Sequence, residues 1–205
     1  MKFSIIIPVF NRPDEINDLI QSIVDQKYRD IEIIVIEDGS SITSNDIINN
    51  FKNKINLQYH EISNQGPGLA RNQGVKFANA EWIIFFDSDC TIPKNYFYEV
   101  DEFLKSNTEV DFFGGPDKSN KSFSFLQKAI NYSMTSMLTT GGIRGSKYTV
   151  DKFLPRSFNM GMKKKNFLQV GGFSSMRFGE DLDLTYRLLS SGAKSSIIKT
   201  AYVYH

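Results

Sequence analysis

Short apolar runs alternate with segments of helical periodicity along the first half of the chain. Residues 3–9, 31–36, 55–60 and 82–86 are rich in branched and aromatic residues, and each run has the length of a strand. The residues between them carry apolar side chains at helical spacing. Because strands joined by helices favour right-handed βαβ units, the pattern predicts an α/β fold with a central, mostly parallel mixed sheet flanked by helices.

Turn residues set the boundaries of the predicted elements. Pro13, followed by two acids, begins a helix with Ile16 on its apolar face, and the turn at 66–68 begins another. Pro8 argues against a long central strand, because proline lacks a backbone donor. The remaining predictions are helices over 44–51, 93–104, 163–170 and 180–190, helical spacing over 123–138, a loop over 139–146, and strands over 110–113, 158–162 and 195–204.

Composition narrows the class of protein without identifying a partner. The chain has 205 residues, is 40% hydrophobic and carries a formal net charge of +1, which suits one soluble domain and gives no argument for nucleic acid. Its single cysteine, Cys90, cannot form an intrachain disulfide, which fits a reducing compartment. No apolar run approaches the length of a membrane span, and Pro8 ends the first run too early for a signal peptide.

Two carboxylates one residue apart end the fourth apolar run, in Asp87-Ser88-Asp89. Because unpaired charges are costly to bury, they are expected where the strand leaves the core. In open α/β sheets that edge binds ligands. Carboxylates at this spacing can bind one hard cation such as Mg²⁺ or Mn²⁺. A solvated turn after a core strand is the simpler interpretation of the motif taken alone.

Two further segments are expected at the same edge. Asp38, in Glu-Asp-Gly-Ser, is either part of a simple turn or a carboxylate that accepts hydrogen bonds from a base or ribose. The segment 66–72 can bring backbone N–H groups and Arg71 close to a phosphate, or it is a helix start with Arg71 paired to a surface acid. Its glycine spacing matches neither a Walker loop nor a dinucleotide fingerprint.

Four other titratable residues are candidates for chemistry. Glu180 and Asp181 begin a predicted helix, where acids stabilise any helix but can also act as a general base toward a hydroxyl. His205 is either a tail residue or an imidazole ligand to a metal. Cys90 has no sequence neighbour that would activate its thiol, so it is predicted to be a packed side chain.

Taken in order, these motifs resemble the inverting glycosyltransferase family 2, whose members have the GT-A fold. The resemblance covers nearly the whole chain and rests on the segments 5–12 (IIIPVFNR), 37–40 (EDGS), 66–72 (GPGLARN), 87–89 (DSD), 171–173 (GGF), 179–184 (GEDLDL) and 203–205 (VYH). It implies a single GT-A catalytic domain over 1–205, with a nucleotide-binding half over 1–115 and an acceptor-binding half over 116–205.

The resemblance implies a role for each matching residue. The residues that would contact a nucleotide-sugar, commonly a UDP-sugar, are Pro8, Phe10, Asn11, Arg12, Asp38, Gly66, Arg71, Asp87 and Ser88. Those that would bind Mn²⁺ or Mg²⁺ at the diphosphate are Asp87, Asp89 and His205. Asp181 would deprotonate the acceptor hydroxyl, with Glu180 beside it to orient the acceptor or the base.

The implied reaction is a metal-dependent, inverting transfer to a glycan or lipid-linked acceptor in bacterial surface polysaccharide synthesis. The family's processive synthases carry a Gln-x-x-Arg-Trp motif that this sequence lacks, which favours a single addition. Many relatives continue beyond the position of His205, so the chain is expected to be either C-terminally truncated or a short member. The rival interpretations are a nucleotide-sugar-binding protein without turnover and a nucleotidyltransferase of related fold.

The expected location also follows from the resemblance. It is cytoplasmic, with peripheral association at the inner face of the cell membrane as an option. Lys163, Lys164 and Lys165 form either a basic face toward anionic lipid or a solvated helix face.

Glu37 departs from the commoner aspartate of the family's second motif, which leaves Asp38 in place.

Overall fold

The structure is a computed structural model that describes residues 1–118 and 154–205. The helical spacing predicted over 123–138 and the loop predicted over 139–146 lie outside the described residues. The strands are β1 (Phe3–Val9), β2 (Ile31–Asp38), β3 (Leu57–Ile62), β4 (Trp82–Phe86), β5 (Phe112–Gly114), β6 (Asp117–Lys118), β7 (Asn159–Lys163), β8 (Ser195–Ile197) and β9 (Val203–Tyr204). The helices are α1 (Pro13–Val24), α2 (Asn45–Asn49), α3 (Pro67–Phe77), α4 (Tyr96–Ser106), α5 (Lys164–Gln169) and α6 (Glu180–Ser190).

One mixed sheet of seven strands forms the centre of the described chain, in the order β3-β2-β1-β4-β7-β5-β8. Strands β1 to β4 are parallel to their neighbours, whereas β7 lies antiparallel between β4 and β5. The predicted α/β class with a mostly parallel sheet is therefore confirmed. Because β1, β2 and β4 run in the same direction, their carboxyl ends meet at one edge.

Pro8 lies within the central strand β1, although in the sequence it is evidence against a long central strand. All seven residues of β1 are buried, and β1 pairs with β2 along its whole length, including Pro8 with Ile36. Pairing with β4 stops at Ile6, which lies opposite Phe85. The proline therefore falls beyond the last pair with β4, where a missing backbone donor costs no ladder bond on that side.

The strand predicted over 195–204 is two separate strands, so that prediction was wrong. β8 pairs with β5 at the edge of the main sheet, whereas β9 pairs with β6 in a small two-stranded sheet. A turn separates them, in which Ala201 N donates to Ile198 O at 3.1 Å. The turn packs so closely that a Cβ on Gly115 would lie 1.8 Å from Ala201 O, so only glycine fits there.

Other boundaries shift by two or three residues. β3 begins at Leu57 rather than at residue 55, and α4 begins at Tyr96 rather than at residue 93. The delay in α4 follows from a turn in which Tyr96 N donates to Pro93 O at 3.0 Å. β2 extends to Asp38, which therefore lies on the last position of a strand rather than in the following turn.

Both faces of the sheet are covered by helices. One core cluster joins the sheet to α1, α2 and α4, and the other joins it to α3, α5 and α6. Helix α3 lies close to the sheet, since a Cβ on Gly74 would meet Ile6 Cγ2 at 2.5 Å. Within 1–118 and 154–205 no helix combines the length and the apolar character needed to cross a bilayer.

Candidate active site

A cavity of about 550 Å³ opens at the carboxyl edge of β1, β2 and β4. Most of the residues predicted to form the site line it: Pro8, Phe10, Arg12, Asp38, Gly66, Arg71, Asp87, Ser88, Asp89 and Glu180. Asn11, Asp181 and His205 lie outside its lining. The sequence motifs therefore converge in space, as the strand order requires.

Asp38 holds the turn that leads into α3. Its two carboxylate oxygens accept backbone N–H groups from Gln65 at 2.8 Å and Gly66 at 2.9 Å, and its side chain is buried. Asn64 Nδ2 donates to the Asp38 carbonyl at 2.8 Å. The carboxylate thus holds a turn that lies 27 residues further along the chain, which is not the simple Asp-Gly turn that the sequence suggested, and Asp38 also faces the cavity.

Asn11 links the loops that follow β1 and β2. It is the one non-glycine residue with positive φ among the described residues, at 53°. Its Oδ1 accepts the backbone N–H groups of Ser41 at 2.8 Å and Ile42 at 3.1 Å, and its own N–H donates to Ser40 Oγ at 2.7 Å. Asn11 therefore holds the loops after β1 and β2 together at the edge of the sheet where the cavity opens.

A buried arginine joins three parts of the site. Arg71 Nη2 donates to Asp87 Oδ1 at 2.5 Å, and Nη1 lies 3.4 Å from Glu180 Oε1. The guanidinium carbon lies 5.3 Å from the centroid of the Phe173 ring. Arg71 Nε has no hydrogen-bond partner within the described part of the chain. We name Arg71, Asp87 and Glu180 the arginine cluster.

Asp89 lies at the centre of a second cluster, the Asp89 cluster, with Arg12 and His205. Asp89 Oδ1 lies 3.3 Å from His205 Nε2, and Oδ2 accepts a hydrogen bond from Arg12 Nη1. Burial raises the pKa of Asp89, but the hydrogen bonds and charges of His205 and Arg12 outweigh it and lower that pKa to about 2. The Asp89 hydrogen bond raises the pKa of His205, against the lowering effect of burial.

The Asp89 cluster offers a ligand set for a divalent cation. Ligand atoms of Asp89, Cys90 and His205 lie within 4.8 Å of one another. Burial, with the charges of Asp87 and Asp89, raises the pKa of the Cys90 thiol, so it stays protonated and is a poor ligand. A carboxylate suits either Mn²⁺ or Mg²⁺, whereas an imidazole suits Mn²⁺ better, so these residues fit Mn²⁺ of the two predicted ions. Asp87 is outside this group and pairs with Arg71 instead.

The two acids at the start of α6 point in different directions. Glu180 lines the cavity, whereas Asp181 is buried behind it and is only 5% exposed. Asp181 Oδ2 accepts a hydrogen bond from Arg156 Nε at 2.6 Å, and Oδ1 accepts the N–H of Leu182 at 2.8 Å. The residue predicted to be the base is therefore part of an ion pair.

Sequence reasoning missed four residues of the site, one of which is Ser157 in the cavity lining. Arg156 pairs with Asp181, and Arg177 and Phe178 line the cavity. Phe178 is 79% exposed, and its ring lies 5.7 Å from the Arg177 guanidinium carbon. An aromatic residue directly before Gly179 was a usable signal, but nothing in the sequence connects Arg156 to a carboxylate so far along the chain.

Comparison with known families identifies a match over most of the chain. The profile described as "Glycosyl transferase family 2" matches residues 4–178. A poly(ribitol-phosphate) beta-glucosyltransferase of Bacillus spizizenii is 38% identical over 112 residues, which cover 52% of this chain and 18% of that protein. A poly-beta-1,6-N-acetyl-D-glucosamine synthase of Staphylococcus epidermidis is 28% identical over 188 residues, 90% of this chain and 45% of that protein. The chain thus spans less than half the length of these relatives.

Solved structures agree with this match. S. aureus TarS 1-349 in complex with UDP-GlcNAc superposes with a TM-score of 0.77 at 25% identity, covering 100% of this chain and 58% of that one. Mannosyltransferase PcManGT from Pyrobaculum calidifontis, in complex with GDP-Man and Mn2+, gives a TM-score of 0.76 at 15% identity, covering 100% and 56%. The second likeness concerns the fold alone.

Proposed function

The chain belongs to glycosyltransferase family 2 and has the GT-A fold, and from that premise we propose that it transfers a sugar from a nucleotide-sugar, with UDP as the expected carrier, to an acceptor hydroxyl with inversion. The observation that carries the proposal is the meeting of the arginine cluster and the Asp89 cluster at one cavity of about 550 Å³. That volume lies within the range of small-molecule sites. The cavity therefore offers both a nucleotide pocket and a charged transfer site.

The nucleotide end of the donor is proposed to lie against Phe10 and Pro8. Phe10 is half exposed and lines the cavity, so its ring is free to stack on a base. Asp38 holds the loop before α3 through two backbone hydrogen bonds, which aims that helix N-terminus toward the cavity. Helix N-termini favour anions, so this end suits a diphosphate.

Asp89 and His205 are proposed to hold a divalent cation. When bound, Mn²⁺ or Mg²⁺ would supply charge neutralisation for the leaving diphosphate. Arg12 contacts the same carboxylate and lines the cavity, so it can exchange Asp89 for a phosphate oxygen. Arg71 fixes Asp87 toward the cavity by an ion pair, and Asp87 would then accept hydrogen bonds from the ribose or the sugar.

Asp181 is proposed to take the proton of the acceptor hydroxyl. Each carboxylate oxygen has two lone pairs. Oδ2 of Asp181 accepts from Arg156 and from Ser157 N at 3.4 Å, so the free acceptor capacity lies on Oδ1, which accepts from Leu182 N alone. Ser157 and Glu180 line the cavity in front of Asp181, and the hydroxyl would approach between them. Glu180, held by Arg71, would orient that hydroxyl.

The acceptor is proposed to be a glycan or a lipid-linked sugar of a bacterial surface polysaccharide, because the relatives named above are a poly(ribitol-phosphate) glucosyltransferase and a poly-N-acetylglucosamine synthase. A cytoplasmic location at the inner face of the membrane belongs to the same proposal. Lys163 pairs with Asp111 at 3.0 Å, and Lys164 Nζ donates to Ala78 O at 2.6 Å. These contacts occupy two of the three lysines and leave Lys165 exposed, which argues against a basic face toward lipid.

One observation favours a rival function, binding of a nucleotide-sugar without turnover. Asp181 is engaged by Arg156, and a base that never leaves its ion pair would accept no proton. The nucleotidyltransferase alternative has no comparable support in the geometry.

The first test is calorimetric titration of UDP and then GDP in the presence of Mn²⁺, repeated after EDTA. We expect UDP to bind with the metal and to lose most of its affinity without it. Release of UDP from UDP-sugars is then compared for Asp181→Asn and for the control Asp183→Asn, on the same helix and paired with Arg187. A loss of about 10²-fold or more in turnover with Asp181→Asn alone is expected for a general base. Equal turnover in both variants would exclude Asp181 as the base, and UDP binding without any release of UDP by the parent chain would favour the binding protein.

A further inference from the structure

A second cavity, of about 320 Å³, lies beside the small sheet formed by β6 and β9. Three lysines from three separate segments line it: Lys94 between β4 and α4, Lys118 on β6, and Lys199 between β8 and β9. Tyr202 forms part of its wall, with its ring centroid 3.4 Å from Lys118 Nζ. We name this cavity the lysine groove.

The lysine groove concentrates positive charge on a chain that is nearly neutral overall. The formal net charge of the chain is +1, whereas three lysines and the single acid Glu99 line this groove. Within the described residues, none of the three lysines forms an ion pair. Their ammonium groups are exposed and therefore available to an anion.

The N-terminus of α4 adds to this field. Asn95 lines the groove at the N-cap position, and its side chain makes no capping hydrogen bond. The helix is 11 residues long, so its first N–H groups carry a partial positive charge toward the groove. Lysine binds phosphate as a point charge with three donors, which matches an anion held by several separate side chains.

The groove is connected to the transfer site through one strand. Asp117 and Lys118 pair with Val203 and Tyr204, and successive side chains of a strand point to opposite faces. Lys118 lines the groove, so the side chain of Asp117, one residue earlier, points to the opposite face of the β6–β9 sheet. The groove therefore adjoins the Asp89 cluster, since Tyr204, the partner of Lys118, directly precedes His205.

We propose that the lysine groove binds a phosphate group of an anionic acceptor polymer while a hydroxyl elsewhere on that polymer reaches the transfer site. The inference rests on the proposed function, because only a transferase has an acceptor. The groove acts in binding and takes no part in the chemistry. Its occupant is a surface polymer of the proposed acceptor class that carries phosphodiester links, because a neutral glycan would offer no charge to the three lysines.

The test is an NMR titration of the full ¹⁵N-labelled chain with a glycerol phosphate oligomer, inorganic phosphate and neutral dextran as probes. We expect the oligomer to shift the amides of Lys94, Lys118, Lys199 and Tyr202, inorganic phosphate to do so more weakly, and dextran to leave them unchanged. The shifts should disappear at about 1 M salt, where the Debye length is about 3 Å.

Matched variants separate the groove from general charge. Replacement of Lys94, Lys118 and Lys199 by glutamine is compared with the same replacement of Lys27, Lys52 and Lys165, which are exposed elsewhere. The groove variant should weaken oligomer binding about tenfold, as expected for three exposed charge contacts, and the control should not. Equal weakening in both variants, or binding only to phosphatidylglycerol vesicles and not to the oligomer, would overturn the proposal.

UDP binding, measured on the same samples, separates this proposal from the proposed function. Both triple variants should bind UDP with metal as the parent chain does. If UDP binds but the oligomer does not shift the groove amides, the groove proposal alone fails. If the oligomer shifts them but no UDP-sugar is turned over, the groove remains a phosphate site and the proposed transfer fails.

Discussion

Two clusters of charged residues face the same cavity and differ mainly in their exposure. In the arginine cluster, the Arg71 side chain is 2% exposed and contacts Glu180, which is 12% exposed, and Asp87, which is 31% exposed, so the difference lies in the arginine. In the Asp89 cluster, the Asp89 side chain is 30% exposed and contacts Arg12, which is 46% exposed, and His205. Both clusters use arginine and carboxylate groups, so residue type alone does not separate them.

The difference in exposure predicts a different role for each cluster: the arginine cluster positions secondary-structure elements, and the Asp89 cluster can exchange its partners. Removing one partner of a buried ion pair leaves an uncompensated charge, so the arginine cluster holds α3, the end of β4 and the start of α6 in one arrangement. Exposed pairs cost little to break. The Asp89 cluster can therefore exchange Arg12 for a cation or a phosphate without disturbing the fold. The four predictions that follow test this division, beginning with the largest effect.

Arg71→Met should lower the free energy of unfolding by about 2 kcal/mol, because it leaves Glu180, which is 12% exposed, without its buried partner, whereas Asp87 is 31% exposed and keeps part of its hydration. Urea denaturation of the metal-free protein measures the change. Arg12→Met is the matched control, and it should change stability by about 0.5 kcal/mol or less because its pair is exposed. Equal losses in the two variants would remove the distinction between the clusters.

Asp89→Asn should weaken metal-dependent UDP binding about 100-fold, because it removes a charged ligand next to His205. Its unfolding free energy without metal should change by less than about 1 kcal/mol. Calorimetry with Mn²⁺ and after EDTA measures the first quantity. An Asp30→Asn variant controls for loss of a surface carboxylate. Unchanged UDP affinity in Asp89→Asn would place the metal elsewhere.

Arg12→Gln should raise the affinity for Mn²⁺ about fivefold at low salt, because the guanidinium competes with the cation for the same carboxylate. The gain should shrink at about 1 M salt, where exposed charges are screened. Isothermal titration of Mn²⁺ without nucleotide is the measurement. Weaker Mn²⁺ binding in this variant would mean that Arg12 supports the metal site.

The smallest effect is a pH dependence of stability in the metal-free protein. The pKa of Asp89 is lowered from 3.8 to about 2, so its contribution is present above about pH 4 and is lost as the pH falls toward 2. The pKa of His205 is raised from 6.5, so its contribution is present below that value and is lost as the pH rises through the raised pKa.

The Asp89–His205 pair is partly exposed, and the two pKa shifts report the same interaction. We therefore expect the free energy of unfolding to decrease by less than about 1 kcal/mol at low pH and by less than about 1 kcal/mol at high pH. The urea concentration at the midpoint of unfolding should be constant at intermediate pH and should decrease at both lower and higher pH. His205→Gln should remove the loss on the alkaline side, and a variant that retained it would identify another titrating group. Mn²⁺ affinity should decrease below the raised pKa, since only the neutral imidazole is a ligand.

The sequence predicted the parallel half of the fold well, because its strands are short apolar runs with polar ends. Trp82–Phe86 and Glu180–Ser190 have the predicted bounds, and the carboxyl ends of β1, β2 and β4 meet as the topology requires. The break within 195–204 was missed because Ile198 and Ala201 are apolar like a strand, while the turn depends on contact with Gly115. Tertiary contacts of that kind leave no periodic signal.

The site residues were predicted by type more successfully than by contact. Asp87 and Asp89 share a turn, but they belong to different clusters because Arg71 and His205 approach from distant segments. Asn11 and Asp38 bind neighbouring backbone N–H groups, a local role that the same residue types also predict. The ion pair between Asp181 and Arg156 could not be predicted, since no spacing rule relates them.

The position of β7 determines the order in which the sheet can be completed during synthesis. β3, β2, β1 and β4 can pair once residue 86 has left the ribosome, but β5 has no neighbour beside β4 until β7 has been made. The free edge of β4, with the apolar sequence Trp-Ile-Ile-Phe-Phe, is therefore unpaired while the intervening residues are translated. Unpaired apolar edges promote association between nascent chains. Slow translation between residues 86 and 159 would thus prolong the interval in which the nascent protein is most prone to aggregate.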